Sequence, residues 1–190
     1  MKINKEFESL IPPLNEDELK QLENNLVNEG WRSNEKIITW NGIIVDGHNR
    51  FNLCQKHNIK FQSEEKKFKD KNEVILWIIN NQLGRRNIST YARGELNWKK
   101  IEILKPIATA QMKSGKTLPQ NRERVHLDKE VGKVSGIGST TAYQIKLIMN
   151  NADEETKKEL RRGNKKLSIK VLLKILWGTS FHAGIDFLDL

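Results

Sequence analysis

The stretch Ile43-Ile44-Val45-Asp46-Gly47-His48-Asn49-Arg50-Phe51 decides how the chain folds. Three β-branched residues in a row read as a buried strand, and Asn41-Gly42 just ahead suits a tight hairpin turn. After Asp46-Gly47 the apolar spacing becomes helical, carried by Phe51 and Cys54. The expected order is therefore strand, sharp glycine turn, helix, with His48, Asn49 and Arg50 in the first helical turn. Backbone N–H groups there lack an intrahelical partner and carry the positive end of the dipole, which favours an anion. Arg50 adds a planar fork able to hold a phosphate through two bonds. An ordinary strand-to-helix corner needs Gly47 as well, for its backbone freedom, and residue types alone leave both readings open.

Ahead of this stretch, Asn15 can cap a helix, Glu18 can reach back to it, and Leu14 can staple against Leu19. Leu19, Leu22 and Leu26 continue an apolar stripe that Gly30 can close, and Pro12-Pro13 holds the approach extended. Residues 36–40 are expected to pair through Asn41-Gly42 with 43–46, and the helix 48–57 to stop near Asn58. Residues 61–68 could form an edge strand with its charges in water. Asp70 with Glu73 starts another helix, lined by Val74, Trp77 and Ile78, which breaks at Gly84. Arg85 and Arg86 follow as a second candidate phosphate contact, or as a solvated helix end suited to the dipole.

Charge divides the chain near the same point. Residues 1–88 hold 14 Lys and Arg against 13 Asp and Glu, and the remainder holds 19 against 11, so nearly all of the +9 falls in the second part. Such asymmetry points to an anionic partner there, most often nucleic acid. A domain boundary is expected at 88–90. A long helix then runs from Thr90 to about 114 with Pro106 inside it. Ser114-Gly115-Lys116-Thr117 fails as a nucleotide loop, because the required first glycine falls at Ala110 and no strand precedes it.

Within 128–150, Gly132, Gly136, Ala142 and Ile145 have the small-turn-small-apolar spacing of a helix-turn-helix. The second helix would bury Ala142, Ile145 and Ile148. Ser139, Thr140, Thr141, Tyr143, Gln144 and Lys146 would face outward and suit base edges and phosphates in a major groove. A plain helical hairpin with a polar face would share that pattern. Helices at 153–162 and 168–176 are expected next, with Arg161 and Arg162 as candidate phosphate contacts, and then an apolar tail at 177–190.

Several classes drop out. No apolar run reaches the length of a membrane span, and the opening residues lack a signal-peptide core, so no membrane partner is expected. A single cysteine excludes an internal disulfide and fits a reducing bacterial cytoplasm. Four scattered histidines offer no metal spacing, and no glycine-flanked serine elbow is present.

Together, the Pro-helix opening, the strand pair, Asp46-Gly47-His48-Asn49-Arg50 and Asn81-Gln82-Leu83-Gly84-Arg85-Arg86 resemble the ParB/sulfiredoxin superfamily. The resemblance covers residues 8–90, and 90–176 is similar to the helix-turn-helix domain that follows in ParB-type proteins. It implies an α+β N-terminal ParB/sulfiredoxin-like domain at 1–88, followed by an all-α helix-turn-helix domain at 89–176. In ParB proteins the turn reads Gly-Glu-Arg-Arg and holds the phosphates of CTP, and a later Glu-Asn-x-x-Arg box helps hold phosphates and the divalent metal. This chain keeps Gly47, Arg50 and Arg85 but has His48 and Asn49 inside the first motif. Asn81 stands where the second has its carboxylate. The resemblance thus implies CTP with Mg²⁺ as cofactor, phosphate held by the 47–50 turn with Arg85 and Arg86, and a homodimer on double-stranded DNA. The missing carboxylate argues against metal-dependent CTP hydrolysis, because a hard cation prefers anionic oxygen. No cysteine follows Gly47, which removes the sulfiredoxin reductase activity. With little ahead of the folded start and no separate dimerisation domain expected after 176, the chain looks closest to short ParB-like proteins of plasmids, phages and integrated elements, acting in partition or transcriptional regulation. The alternative is a nucleotide-dependent enzyme, a phosphotransferase or nuclease, with Asp46 and His48 as its reactive groups.

Overall fold

The computed structural model describes residues 1–32, 34–85, 87–113 and 127–168, with side chains excepted over 107–113. Helix α1 (Lys5–Ser9) opens the chain, with the Asn4 side chain accepting from the backbone N–H groups of Glu6 and Phe7. In α2 (Glu16–Glu29) the capping box forms in full: Asn15 accepts from the Glu18 N–H at 2.8 Å, and Glu18 accepts from the Asn15 N–H at 3.0 Å. Two orphan donors are thereby satisfied by side chains three positions apart. The expected stripe holds at Leu22 and Leu26, but Leu19 is exposed.

Strands β1 (Ile37–Trp40) and β2 (Ile43–Asp46) pair antiparallel through Asn41 and Gly42, both at positive φ as such a hairpin requires. The register shifts between Ile38 and Thr39, leaving Val45 as the extra residue of a bulge on β2. Helix α3 (His48–His57) follows from β2 and ends at Asn58 in the left-handed conformation. The expected edge strand over 61–68 shrinks to β3 (Ser63–Glu65), which pairs parallel with β1 and is exposed throughout, giving the order β2-β1-β3. Helix α4 (Lys71–Leu83) is capped by Asp70, which accepts from the Glu73 N–H at 2.9 Å. It buries Val74, Ile75, Ile78 and Ile79. Each such side chain withdrawn from water contributes roughly 1.5–3 kcal/mol.

Helix α5 (Thr90–Lys113) contains Pro106 within its span. Next among the described residues come α6 (Leu127–Ser135), α7 (Ser139–Asn151) and α8 (Glu154–Arg162). The expected 114–124 loop, the helix after Ser168 and the 177–190 tail lie outside the described residues.

The chain divides into two compact units. One contains Met1–Ile88 and α5 from Lys99 onward; the other contains Ser89–Trp98 with α6, α7 and α8. The first unit buries Phe7, Ile37, Ile44 and Val45 together with the α4 face, and a satellite cluster joins Leu26, Leu53 and Cys54. The second buries Tyr91, Leu96, Val131, Ala142, Ile145, Ile148 and Leu160. Among the described residues, no helix is long and apolar enough to cross a membrane.

Candidate functional site

Gly47 turns the chain between β2 and α3 at φ 92°, a left-handed conformation that L side chains rarely adopt. A Cβ there would also lie 3.3 Å from Ile37 Cγ1, so the corner needs glycine on both counts. The first intrahelical bond runs from the Phe51 N–H to the Gly47 carbonyl at 2.9 Å, leaving the His48, Asn49 and Arg50 N–H groups at the open, positive end. That end faces a cleft of about 500 Å³, whose walls include Gln21 and Asn25 of α2, Arg50, and Arg85 beyond α4.

Arg50 is held from several sides. Its Nη1 donates to the Glu35 carbonyl at 3.1 Å and to the Glu35 carboxylate at 3.4 Å, and its Nη2 lies 3.7 Å from Asp46 Oδ2. The guanidinium also stands 6.0 Å from the centre of the Trp31 ring. Arg85 donates to the other Asp46 oxygen at 3.3 Å. The turn thus carries two arginines bridged by one carboxylate, with Glu35 as a second anionic partner on Arg50. Arg86 lies outside the described residues.

His48 is buried, and neither ring nitrogen has a hydrogen-bond partner among the described residues. Desolvation pushes its pKa down, opposed by the charges of Glu8 and Asp46. Asp46 has an arginine on each oxygen, and His48 is buried. Two guanidinium groups and the open N–H groups of α3 are donors of the kind that suits an anion. The donors fit a phosphate. They fit a bound divalent cation poorly: Asp46 and Glu35 already face arginines, and the described residues contain no cluster of three metal-ligating side chains.

The second unit is arranged around a short glycine turn. Gly136 has φ 67°, and the Ile137 N–H reaches back to the Gly132 carbonyl at 2.9 Å. A Cβ on Gly132 would lie 2.9 Å from the Ile137 carbonyl oxygen, so α6 must present a bare backbone there. Helix α7 buries Ala142, Ile145 and Ile148 as its spacing predicts. Thr140 and Tyr143 are exposed, and Ser139, Thr141 and Gln144 are half-buried. Lys146 instead lies over the Trp98 ring, 5.1 Å from its centre, while the Trp98 indole N–H donates to the Ala142 carbonyl at 2.9 Å. Val134 of α6 is exposed.

Arg161 makes a two-pronged pair with the buried carboxylate of Glu95, both bonds at 2.7 Å, and its pKa is raised mainly by those bonds. Arg162 pairs with Glu159 at 3.2 Å. Both arginines are therefore engaged within the unit.

A three-stranded sheet whose edge strand leads through a glycine corner into a helix, in a chain that also carries a separate helical unit, defines a mixed α+β class. The fold is that of a ParB-N domain, matching the expected ParB/sulfiredoxin-like N-terminal part. The chain is similar to the solved C2221 crystal form of a Pnob8-like ParB-N domain, with a TM-score of 0.57 and 17% identity over 93% of this chain and 75% of that one. No protein-family model and no curated protein matches the sequence.

The spacing of 43–51 exposes the turn and Arg50, but not Glu35, which lies 15 residues earlier and meets Arg50 only through the fold. Gln21 and Asn25 are likewise invisible as cleft residues, because helical periodicity marks them simply as polar.

Proposed function

We propose that this chain is a ParB-like double-stranded DNA-binding protein of a plasmid, phage or integrated element, acting in partition or transcriptional regulation. In this reading α6 and α7 form a helix-turn-helix, and α7 enters the major groove. The observation that carries it is the tight glycine corner before α7, combined with an outer face of hydroxyls, an amide and an exposed tyrosine. Ser139, Thr140, Thr141, Tyr143 and Gln144 read base edges and phosphates. Paired half-sites make a homodimer the working form. Lys146, Arg161 and Arg162 support the reader from within its own unit, through Trp98, Glu95 and Glu159.

The first unit holds the phosphates of a nucleotide, CTP in the ParB-like reading, at the open end of α3 with Arg50 and Arg85. The pairing of Asp46 with both arginines supports binding over turnover.

Selection of retained fragments from random duplex DNA, with and without each nucleoside triphosphate, tests both halves. A Tyr143→Ala/Gln144→Ala double variant with unchanged thermal unfolding is expected to lose sequence-specific retention. Unaltered retention would exclude α7 as the reader. Arg50→Ala is expected to weaken phosphate binding roughly tenfold, the scale of one charge-assisted contact. Isothermal titration measures it, and an unchanged affinity would remove Arg50 from the site.

A further inference from the structure

The half-buried cations of the second unit are answered within it, with one exception among the described residues. Arg161 holds Glu95 at 2.7 Å, Arg162 holds Glu159 at 3.2 Å, Lys157 holds Glu154 at 2.8 Å, and Lys146 lies over Trp98. The exception is Arg93 of α5, whose half-buried side chain has no hydrogen bond, ion pair or ring contact with any described residue. Partial burial weakens the hydration of a guanidinium, and no described carboxylate replaces what is lost. The backbone of Arg93, by contrast, is tied down. Its carbonyl accepts from the Asn97 side-chain amide at 3.0 Å, and the same nitrogen donates at 3.0 Å to the hydroxyl of Ser135, the last residue of α6. One position along, the space beside Gly94 is filled by the Ile137 and Ile145 side chains, and a turn later the Trp98 indole donates to the Ala142 carbonyl at 2.9 Å. This part of α5 is thus fixed against the end of α6 and against α7 together, and it carries Arg93 at a constant place beside their corner.

We infer that Arg93 is a positioning residue of the duplex interface: its guanidinium grips a phosphodiester of the DNA backbone and so sets where α7 lies in the groove. The inference rests on the reading of α7 as the helix that meets duplex DNA. The planar fork suits the two unesterified oxygens of a phosphodiester. Such a contact fixes register and orientation while carrying no sequence information, which is left to side chains of α7 such as Tyr143 and Gln144. Arg93 supplies from a neighbouring helix the free charge that Arg161 and Arg162 have already spent on Glu95 and Glu159.

Fluorescence anisotropy of the full chain tests this, on a duplex retained from the random pool and on a shuffled duplex of the same length, each across a salt series. Arg93→Gln keeps the backbone carbonyl and a good helix former while removing the charge. It is expected to weaken both duplexes alike, roughly tenfold, and to leave the ratio between them within about twofold of wild type. The slope of log affinity against log salt should become shallower by about one, the counterion released per phosphate neutralised. Arg93→Lys is expected to restore the slope and only part of the affinity, since an ammonium keeps the charge and loses the fork. Lys157→Gln removes the same formal charge from a side chain that Glu154 already pairs, and should leave the slope unchanged and the affinity within about twofold. A wild-type slope in Arg93→Gln would overturn the phosphate contact while sparing α7 as the reader. An equal flattening by Lys157→Gln would overturn it too, as an effect of net charge. A lost preference between the two duplexes in Arg93→Gln would overturn it in favour of a base contact. Failure of the wild type to bind either duplex would overturn it together with the DNA reading.

Discussion

The buried His48 is an acid-sensitive component of the first unit. Burial depresses the His48 pKa below its ordinary value of 6.5, so the folded chain keeps the ring neutral where the unfolded chain takes up a proton. Its contribution to stability is therefore complete above about pH 6.5 and declines as the pH falls below that towards the folded pKa. Melting temperatures recorded from pH 7.5 down to pH 5 should fall, and His48→Leu should flatten part of that fall. Equal slopes in the two proteins would show that other groups carry the acid sensitivity. Leucine is tolerable because neither nitrogen has a partner to lose among the described residues. At this scale the sequence revealed which residues could serve an anion, since Gly47 and Arg50 are adjacent in the chain. It could not reveal that Asp46 bridges Arg50 to Arg85, 39 positions away from it.

The glycines of the second unit differ in what an added methyl group would strike. At Gly132 it meets the Ile137 carbonyl oxygen at 2.9 Å and the Ser139 nitrogen at 3.2 Å, backbone atoms that define the corner between α6 and α7. At Gly94 on α5 the nearest atom is the Ile145 Cδ1, which is the far end of a side chain that can rotate away. Chemical denaturation is accordingly expected to cost Gly132→Ala about 1–3 kcal/mol, the range of overpacking without room to relax. Gly94→Ala should stay within about 1 kcal/mol of wild type, because the gain in helix propensity offsets the rotation. The reverse order would mean that the corner yields more readily than the side chain. Elements with strong local chemistry were legible beforehand: the α2 capping box, the Asn41-Gly42 hairpin, and the Gly136 turn. Helix α1 was not, since five residues provide no period to detect. Neither was the exposure of Leu19 and Val134, because a stripe on one helix does not reveal what covers it. Strand β3 is held by backbone pairing with β1 and buries no side chain, so an alternating pattern could not delimit it.

Across the whole molecule, the surplus of positive charge after residue 88 would make the proposed duplex binding sensitive to ionic strength. If α7 reads DNA while lysines and arginines neutralise phosphates, affinity should drop at least roughly tenfold between 50 and 200 mM salt. Fluorescence anisotropy on a fixed duplex measures this, and a flat response would show that few phosphates are contacted. The change of charge near 88 was visible in the sequence, but the sharing of α5 was not, since an unbroken helix carries no composition mark where its allegiance changes. Residues up to Trp98 belong with one unit and those from Lys99 with the other. Scissors applied between 88 and 89 would strip a helical strut from the fragment holding the arginines. A recombinant piece intended to display that cleft by itself has to be carried through to Lys113.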